Sequence, residues 1–304
     1  MREHRSRTGA APLYTLTPAQ ARAADLADIQ AAAGTPEPVA AVEEQVFAGP
    51  GGPLTLRLYR PHGAVGGAPR PALLYLFGGG WTLGSLDTSD AICRRLTNAV
   101  GCVTVAVGYR LAPEHPFPAA VQDCAAALQR IAGQAAELGI DPDRLAVGGD
   151  SAGGNLAAAV TLLARAHGGP ALRHQLLVYP NTDHRAETPS RRDFDDPLLF
   201  NRRSVDWYWN HYLAEADHGD DPLASPLRAD DLSGLPPATV ITAEFDPLRD
   251  EGEQYAEALR AAGVPVALRR YPGMPHGFFT MTGRLDDARA AQQYAADQLR
   301  EALG

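Results

Sequence analysis

Arg144-Leu145-Ala146-Val147-Gly148-Gly149-Asp150-Ser151-Ala152-Gly153 is the stretch that decides the fold. Its first five residues form a short apolar run of the kind that fills a buried strand. From Gly153 through Asn155-Leu156-Ala157-Ala158-Ala159-Val160 the chain turns to helix formers. A serine between the two sits on a turn too sharp for ordinary backbone angles and tolerated only beside small residues, hence glycine two positions to either side of Ser151. Such a turn pushes the hydroxyl out at the carboxyl edge of a sheet, where it can act as a nucleophile. Glycine, serine and alanine also build ordinary strand-to-helix turns, so the pentapeptide needs support from the rest of the chain.

Further short apolar runs stand at Ala72–Phe77, Cys102–Val107, Gln175–Tyr179, Ala238–Ala243 and Val266–Tyr271, with helical stretches among them. Continuous apolar strands of this length belong to a parallel sheet covered on both faces, which predicts a doubly wound α/β fold. Ahead of them, two alternating segments, Val42–Ala48 and Leu54–Arg60, flank Gly49-Pro50-Gly51-Gly52-Pro53 and read as an antiparallel hairpin, giving eight strands that are mostly parallel. Thr17-Pro18 opens one amphipathic helix, Ala19–Ala33, which stops at Gly34. Between Tyr179 and Ala238 a long segment rich in Asp, Arg and aromatics supplies no strand, and it predicts a partly helical insertion over the active edge.

The chain has 304 residues, 45% hydrophobic and 21% charged, which suits one large α/β domain with a lid. A net charge of -9 excludes a phosphate backbone or an anionic membrane surface as the natural partner. All 27 basic residues are arginine. Without lysine there is no P-loop, no pyridoxal Schiff base and no serine–lysine hydrolase. Cys93, Cys102 and Cys124 are odd in number and lack a C-x-x-C, so they read as three reduced, buried side chains. The charged start, Met1–Thr8, leads into no apolar signal core, and no apolar run nears the roughly 18 residues of a membrane helix. A cytoplasmic protein without a membrane span is the expectation. The nine histidines form no H-E-x-x-H and no paired Cys/His spacing, which predicts neither metal nor cofactor.

A serine nucleophile needs a base to take its proton and a third group to orient that base. Asp246 follows one strand in Thr242-Ala243-Glu244-Phe245-Asp246-Pro247-Leu248, and His276 follows the next in Pro272-Gly273-Met274-Pro275-His276-Gly277-Phe278. Ser151, Asp246 and His276 thus all lie just past carboxyl ends of strands, the edge where open α/β sheets assemble their sites. Each of the latter two alone is an unremarkable turn residue; together, in the order Ser, Asp, His, they point to hydrolysis. Glu244 and Asp250 rank behind Asp246, one still in the strand end and the other opening the next helix. Donors for an oxyanion come from Phe77-Gly78-Gly79-Gly80-Trp81, where consecutive glycines let backbone N–H groups approach a substrate oxygen, and from Ala152 at the positive end of its helix. A dinucleotide cradle fails, because Leu83 stands where the last glycine of G-x-G-x-x-G belongs.

In these residues the chain resembles the hormone-sensitive-lipase-like branch of the α/β-hydrolases, to which many bacterial carboxylesterases belong. The resemblance runs from about Val42 to the C-terminus. It rests on Gly78-Gly79-Gly80-Trp81, Tyr109-Arg110-Leu111-Ala112-Pro113-Glu114-His115-Pro116, Gly149-Asp150-Ser151-Ala152-Gly153-Gly154, Asp246-Pro247-Leu248-Arg249-Asp250 and His276-Gly277-Phe278. It implies an α/β-hydrolase domain over 36–182 and 236–304 and a helical cap from 1–35 and 183–235. It implies Ser151, Asp246 and His276 as the triad, with Gly79, Gly80 and Ala152 as oxyanion donors. The family's glycine loop normally opens with histidine; here Phe77 stands in its place and can brace the loop only by packing. The expected function is cleavage of small carboxylic esters of short-to-medium acyl length through an acyl-enzyme. Amidase, lactonase, thioesterase and cyclase chemistry remain open on the same residues, as does a ligand-binding module like the plant hormone receptors, which typically lack the catalytic histidine. Phe77, Trp81, Phe194, Leu198, Trp207 and Phe278 are the candidate substrate contacts, with Leu199, Phe200, Tyr208 and Trp209 beside them as pocket wall or cap core. Arg191, Arg192, Arg202 and Arg203 read first as solvated surface. A homodimer is the expected macromolecular partnership, with no nucleic acid.

Overall fold

A computed structural model describes Arg2, Ser6, Arg7, Gly9 and residues 11–63 and 68–304. Of the expected cap segment 1–35, positions 1, 3–5, 8 and 10 lie outside the described residues, as does most of the charged start. Among the described residues there are eight strands, β1 (Ala41–Gly49), β2 (Gly52–Arg60), β3 (Arg70–Leu76), β4 (Val103–Val107), β5 (Ile140–Asp150), β6 (His174–Val178), β7 (Ala238–Phe245) and β8 (Val266–Pro275). They form one sheet in the order β1-β2-β4-β3-β5-β6-β7-β8. β1 and β2 pair antiparallel, β2 meets β4 antiparallel, and from β4 to β8 every pairing is parallel. The α/β-hydrolase architecture expected from the motifs is therefore the one observed.

The helices are α1 (Pro18–Ala33), α2 (Asp90–Val100), α3 (Ala119–Gly133), α4 (Ala135–Leu138), α5 (Ala152–Ala166), α6 (Pro189–Asp193), α7 (Arg202–Tyr212), α8 (Arg249–Ala261) and α9 (Asp286–Leu303). Because side chains alternate across a strand, β3 sends Ala72, Leu74 and Leu76 to one face and Leu73 and Tyr75 to the other. The first face is covered by α3, α5 and α8 through residues such as Leu128, Leu156 and Leu259. The second is covered by α2 and α9 through Ile92, Leu96, Ala295 and Leu299. Both faces of the parallel strands are thus dry, which is why those strands carry uninterrupted apolar runs.

Thr17 caps α1 with a reciprocal capping box to Gln20, and Gly34 ends it at φ 75°. The expected amphipathic pattern is only half present: Ala21 and Ala32 are buried, but Asp25 and Asp28 share their face. The helix is pinned at both ends. Arg22 donates to the carbonyls of Thr82 and Ala112 and pairs with Glu114, while the carbonyls of Ala32 and Ala33 accept from Gly283 N and Thr282 Oγ1. Segment 183–235 holds α6, α7 and two short 3₁₀ turns, Ala216–Asp220 and Pro226–Arg228, and no strand. Cys93, Cys102 and Cys124 are buried free thiols. No helix among the described residues is long and apolar enough to cross a membrane.

Candidate active site

β5 runs on through Gly149 and Asp150, two residues beyond its sequence-predicted end, so Ser151 follows the strand directly. Helix α5 starts at once with Ala152. The single residue between them takes φ 55° and ψ -120°, and its N–H is held by the carbonyl of Val178 at 2.8 Å. Such a conformation costs on the order of 1–3 kcal/mol and persists only where the surroundings enforce it. Here the flanking glycines make it feasible: a Cβ on Gly149 would lie 2.3 Å from the carbonyl oxygen of Leu76, and one on Gly153 would lie 1.9 Å from that same oxygen.

His276 Nε2 lies 3.0 Å from Ser151 Oγ, and His276 Nδ1 lies 2.8 Å from Asp246 Oδ2. A carboxylate only accepts, so the hydrogen sits on Nδ1 and leaves Nε2 free to receive the serine proton. Asp246 is fully buried, and its other oxygen accepts from Leu248 N at 2.8 Å. The rival acids stand elsewhere: Glu244 accepts from Gly273 N, and Asp250 is tied to Arg249 and to Ser190 N. The imidazole is packed between rings, with Phe200 stacked on it at 4.1 Å and Tyr179 tilted against it at 4.6 Å.

Gly79 and Gly80 line the same cavity as Ser151, and their N–H groups and that of Ala152 donate to no backbone carbonyl among the described residues. The glycine loop turns back on itself, Thr82 N and Leu83 N both bonding Gly79 O. Gly79 and Gly80 have φ 118° and 56°, and a Cβ on Gly80 would strike the ring of Tyr208 at 2.0 Å. Phe77 is 2% exposed and stacks on Tyr109 at 4.2 Å, and the Tyr109 hydroxyl donates to the Phe77 carbonyl at 2.7 Å. Packing is thus the brace that phenylalanine supplies where the family has histidine.

Asp150 holds the loop from the other side, a role its place inside the serine motif did not reveal. Its Oδ1 accepts from the Tyr75 hydroxyl at 2.9 Å and from Gly78 N at 3.2 Å. Burial pushes its carboxyl up, against the pull of these donors and of His276. Glu251 was equally silent in the sequence. Its Oε1 accepts from Thr182 N and Asp183 N, joining α8 to the start of the inserted segment, and burial pushes its carboxyl up to about 8.

A cavity of about 250 Å³ opens over Ser151 and His276. Of the six side chains expected to contact substrate, Phe77 and Leu198 line it. The other four are corrected by their packing. Trp81 is buried in a stack with Tyr212 and Trp209 and donates to Asn155, while Phe278 is core between Tyr179 and Tyr271. Phe194 packs on Phe245 and Arg249, and Trp207 packs on His211 and Tyr208, and neither Phe194 nor Trp207 lines the cavity. Leu199, Phe200 and Tyr208 do line it. The four arginines singled out in the sequence do not: Arg191 is buried against Asp206, Arg192 bonds the Glu187 carbonyl, Arg202 faces Glu187 and Arg203 covers Tyr14. Among the described residues Glu215, Asp217 and His218 lie close enough to share a cation, but they are outside the cavity.

A strained serine at a strand end, an imidazole on its hydroxyl, a buried carboxylate behind the imidazole and a glycine loop in the same cavity define the hydrolase class of α/β fold. The model of the family described as alpha/beta hydrolase fold matches residues 73–280. Carboxylic ester hydrolase LipN of Mycobacterium tuberculosis is 49% identical over 239 residues, spanning 77% of this chain but only 63% of LipN. Carboxylesterase NlhH of the same organism is 44% identical over 236 residues, 77% of this chain and 74% of NlhH. The solved structure of an ester hydrolase from the metagenome of Lake Arreo, complexed with a bipyridine phosphonate derivative, superposes with a TM-score of 0.94 at 41% identity, covering 98% of this chain and 95% of that one. The chain belongs to the alpha/beta hydrolase family, on its hormone-sensitive-lipase-like branch.

Proposed function

We propose that the protein is a carboxylesterase that cleaves small esters of short-to-medium acyl length through an acyl-enzyme. The observation that carries this reading is the unbroken relay from Ser151 Oγ to His276 Nε2 at 3.0 Å and from His276 Nδ1 to Asp246 at 2.8 Å, set at the floor of a cavity. In it His276 takes the serine proton as Oγ attacks the ester carbonyl, and the N–H groups of Gly79, Gly80 and Ala152 receive the developing oxyanion. His276 then returns the proton to the leaving alcohol, and water repeats the sequence on the acyl group. A volume of about 250 Å³, below the roughly 300–1,000 Å³ of sites for drug-sized ligands, supports a small substrate.

The ester reading is favoured over amide or thioester cleavage by relatives that are named carboxylic ester hydrolase and carboxylesterase. Its test is twofold. An organophosphonate should label Ser151 stoichiometrically, and a p-nitrophenyl ester series should turn over faster than its anilide and thioester counterparts. Unlabelled Ser151 sinks the enzyme reading in favour of a binding module, whereas labelling with the anilide fastest sinks only the ester preference.

In the same reading residues 1–35 and 183–235 are the cap and 36–182 with 236–304 the catalytic domain. The protein works in the cytoplasm, whose reducing conditions suit three free buried thiols. A homodimer belongs to the reading too, for which the open edge of β8 and the half-exposed Phe245 beside it offer surface.

Phe77 tunes this site without being part of the chemistry. The loop's own bonds, from Gly78 N to Asp150 and from Thr82 N and Leu83 N to Gly79, do not involve the Phe77 ring. The Phe77→His variant should therefore keep kcat/KM for ester hydrolysis within about tenfold, or 1.4 kcal/mol. A fall beyond about a hundredfold would make the aromatic ring essential.

A further inference from the structure

Helix α1 turns one face to the cavity: Ala21, Ala24, Asp25, Asp28, Ile29 and Ala32, spaced at the helical repeat. A face packed over an apolar wall is ordinarily apolar throughout, since an unbonded carboxylate away from water is costly. The wall opposite is largely apolar, with Leu83, Leu198, Leu199 and Phe200 among its residues, yet the centre of the α1 face is aspartate. Asp25 sits there half-buried, in one cavity with Ser151 and His276, and no described group of the protein hydrogen-bonds to its carboxylate. Pinned through Arg22 at one end and Thr282 and Gly283 at the other, α1 holds the carboxylate against the substrate space.

Among the described residues, the groups around Asp25 leave that charge unanswered. Asp28 lies one turn along α1, and Asp150 stands at the end of β5. Tyr208 of α7 and Tyr109 after β4 have phenols pushed well above their ordinary range by burial, with Asp25 adding to the effect. His276 faces the cavity but is committed to Ser151 and Asp246. Arg22, three residues back, is occupied by Glu114, and no arginine is among the described residues lining the cavity.

We propose that Asp25 is the specificity-determining residue of this site and that the cavity takes esters carrying a cationic nitrogen, a quaternary ammonium or a protonated amine, on the arm lying along α1. Anionic esters are rejected by the same charge. The inference rests on the esterase reading and gives it a substrate class. The rings of Phe77, Phe200 and Tyr208 in the same cavity suit a cation as well as an alkyl group. Burial, with repulsion from Asp150 and Asp28, pushes the Asp25 carboxyl up to about 7. Below that pH the group is neutral and the cavity does not distinguish a cation from its carbon isostere; above it the carboxylate forms and the cation is preferred.

The test uses the Ser151→Ala variant, which binds without turnover, and two isosteric ester pairs. One is choline butyrate against 3,3-dimethylbutyl butyrate; the other is ethyl 4-(trimethylammonio)butanoate against ethyl 5,5-dimethylhexanoate. Calorimetric titration at pH 8 should show the cation of at least one pair binding about tenfold or more tighter than its isostere. That ratio should shrink at pH 6, vanish when Asp25→Asn is added, and persist in part with Asp25→Glu. Equal binding within both pairs at pH 8 overturns the proposal, as does a preference that survives Asp25→Asn. Turnover of neutral 3,3-dimethylbutyl butyrate by the unmodified enzyme reports separately on the esterase reading, so the two can fail independently.

Discussion

Asp246→Asn should lower kcat for an ester substrate by about 10⁴-fold while leaving KM and thermal stability close to those of the parent protein. The reason lies in the two bonds of the buried carboxylate. One oxygen is claimed by Leu248 N at 2.8 Å, and the other receives His276 Nδ1 at 2.8 Å. An asparagine of the same shape keeps its carbonyl oxygen on Leu248 N and turns its NH₂ towards the imidazole. Nδ1 must then accept, the imidazole hydrogen moves to Nε2, and the base points a proton at Ser151 instead of a lone pair. Steady-state kinetics on a p-nitrophenyl ester checks this directly. A loss smaller than about tenfold would remove Asp246 from the proposed mechanism and reopen the choice among the neighbouring acids.

Gly153→Ala should cost more than about 3 kcal/mol of folding stability, at or beyond the upper end for added methyl groups in a packed interior. Its Cβ would lie 1.9 Å from the Leu76 carbonyl oxygen and 2.7 Å from that of Phe77. Both are backbone atoms at the end of β3, where the strand passes into the glycine loop, so nothing flexible can yield. Relief requires α5 to move off the sheet, which also withdraws Ala152 N from the serine. Gly133→Ala is the control, since a Cβ there meets nothing within 4 Å and it closes α3. That change should be neutral or stabilising by up to about 1 kcal/mol. Thermal denaturation of both variants would decide, and a Gly153→Ala midpoint equal to that of the control would mean that the helix is not seated on the strand as described.

Much of the fold was legible because each strand announced itself locally. Ala72, Leu74 and Leu76 against Leu73 and Tyr75 make an apolar run only because both faces of β3 are covered, and that run is visible without coordinates. The ends were less so. β5 and β8 extend past their apolar cores into Gly149-Asp150 and Pro272–Pro275, where pairing with neighbouring strands, not hydrophobicity, sustains the ladder. Ser151, His276 and Asp246 were accessible because a strained turn and successive strand ends leave marks in short motifs. The cavity wall was not, because an aromatic in the inserted segment reads the same whether it faces substrate, as Phe200 and Tyr208 do, or core, as Trp209 does.

By itself, then, the amino-acid order determined the sheet, the glycine-flanked serine turn and the identity of its partners, all of which follow from backbone sterics and the burial of short apolar runs. Tertiary structure alone decided how Asp150 and Tyr109 brace the glycine loop and that Asp25 faces the cavity. These depend on where side chains from elements far apart in the chain converge: Asp25 and Ser151 are local neighbours of nothing in common, and only the packing of α1 over the sheet edge puts a carboxylate and a nucleophile in one space. Hydrophobic periodicity encodes which face of an element is buried; it carries no record of which remote group that face will meet.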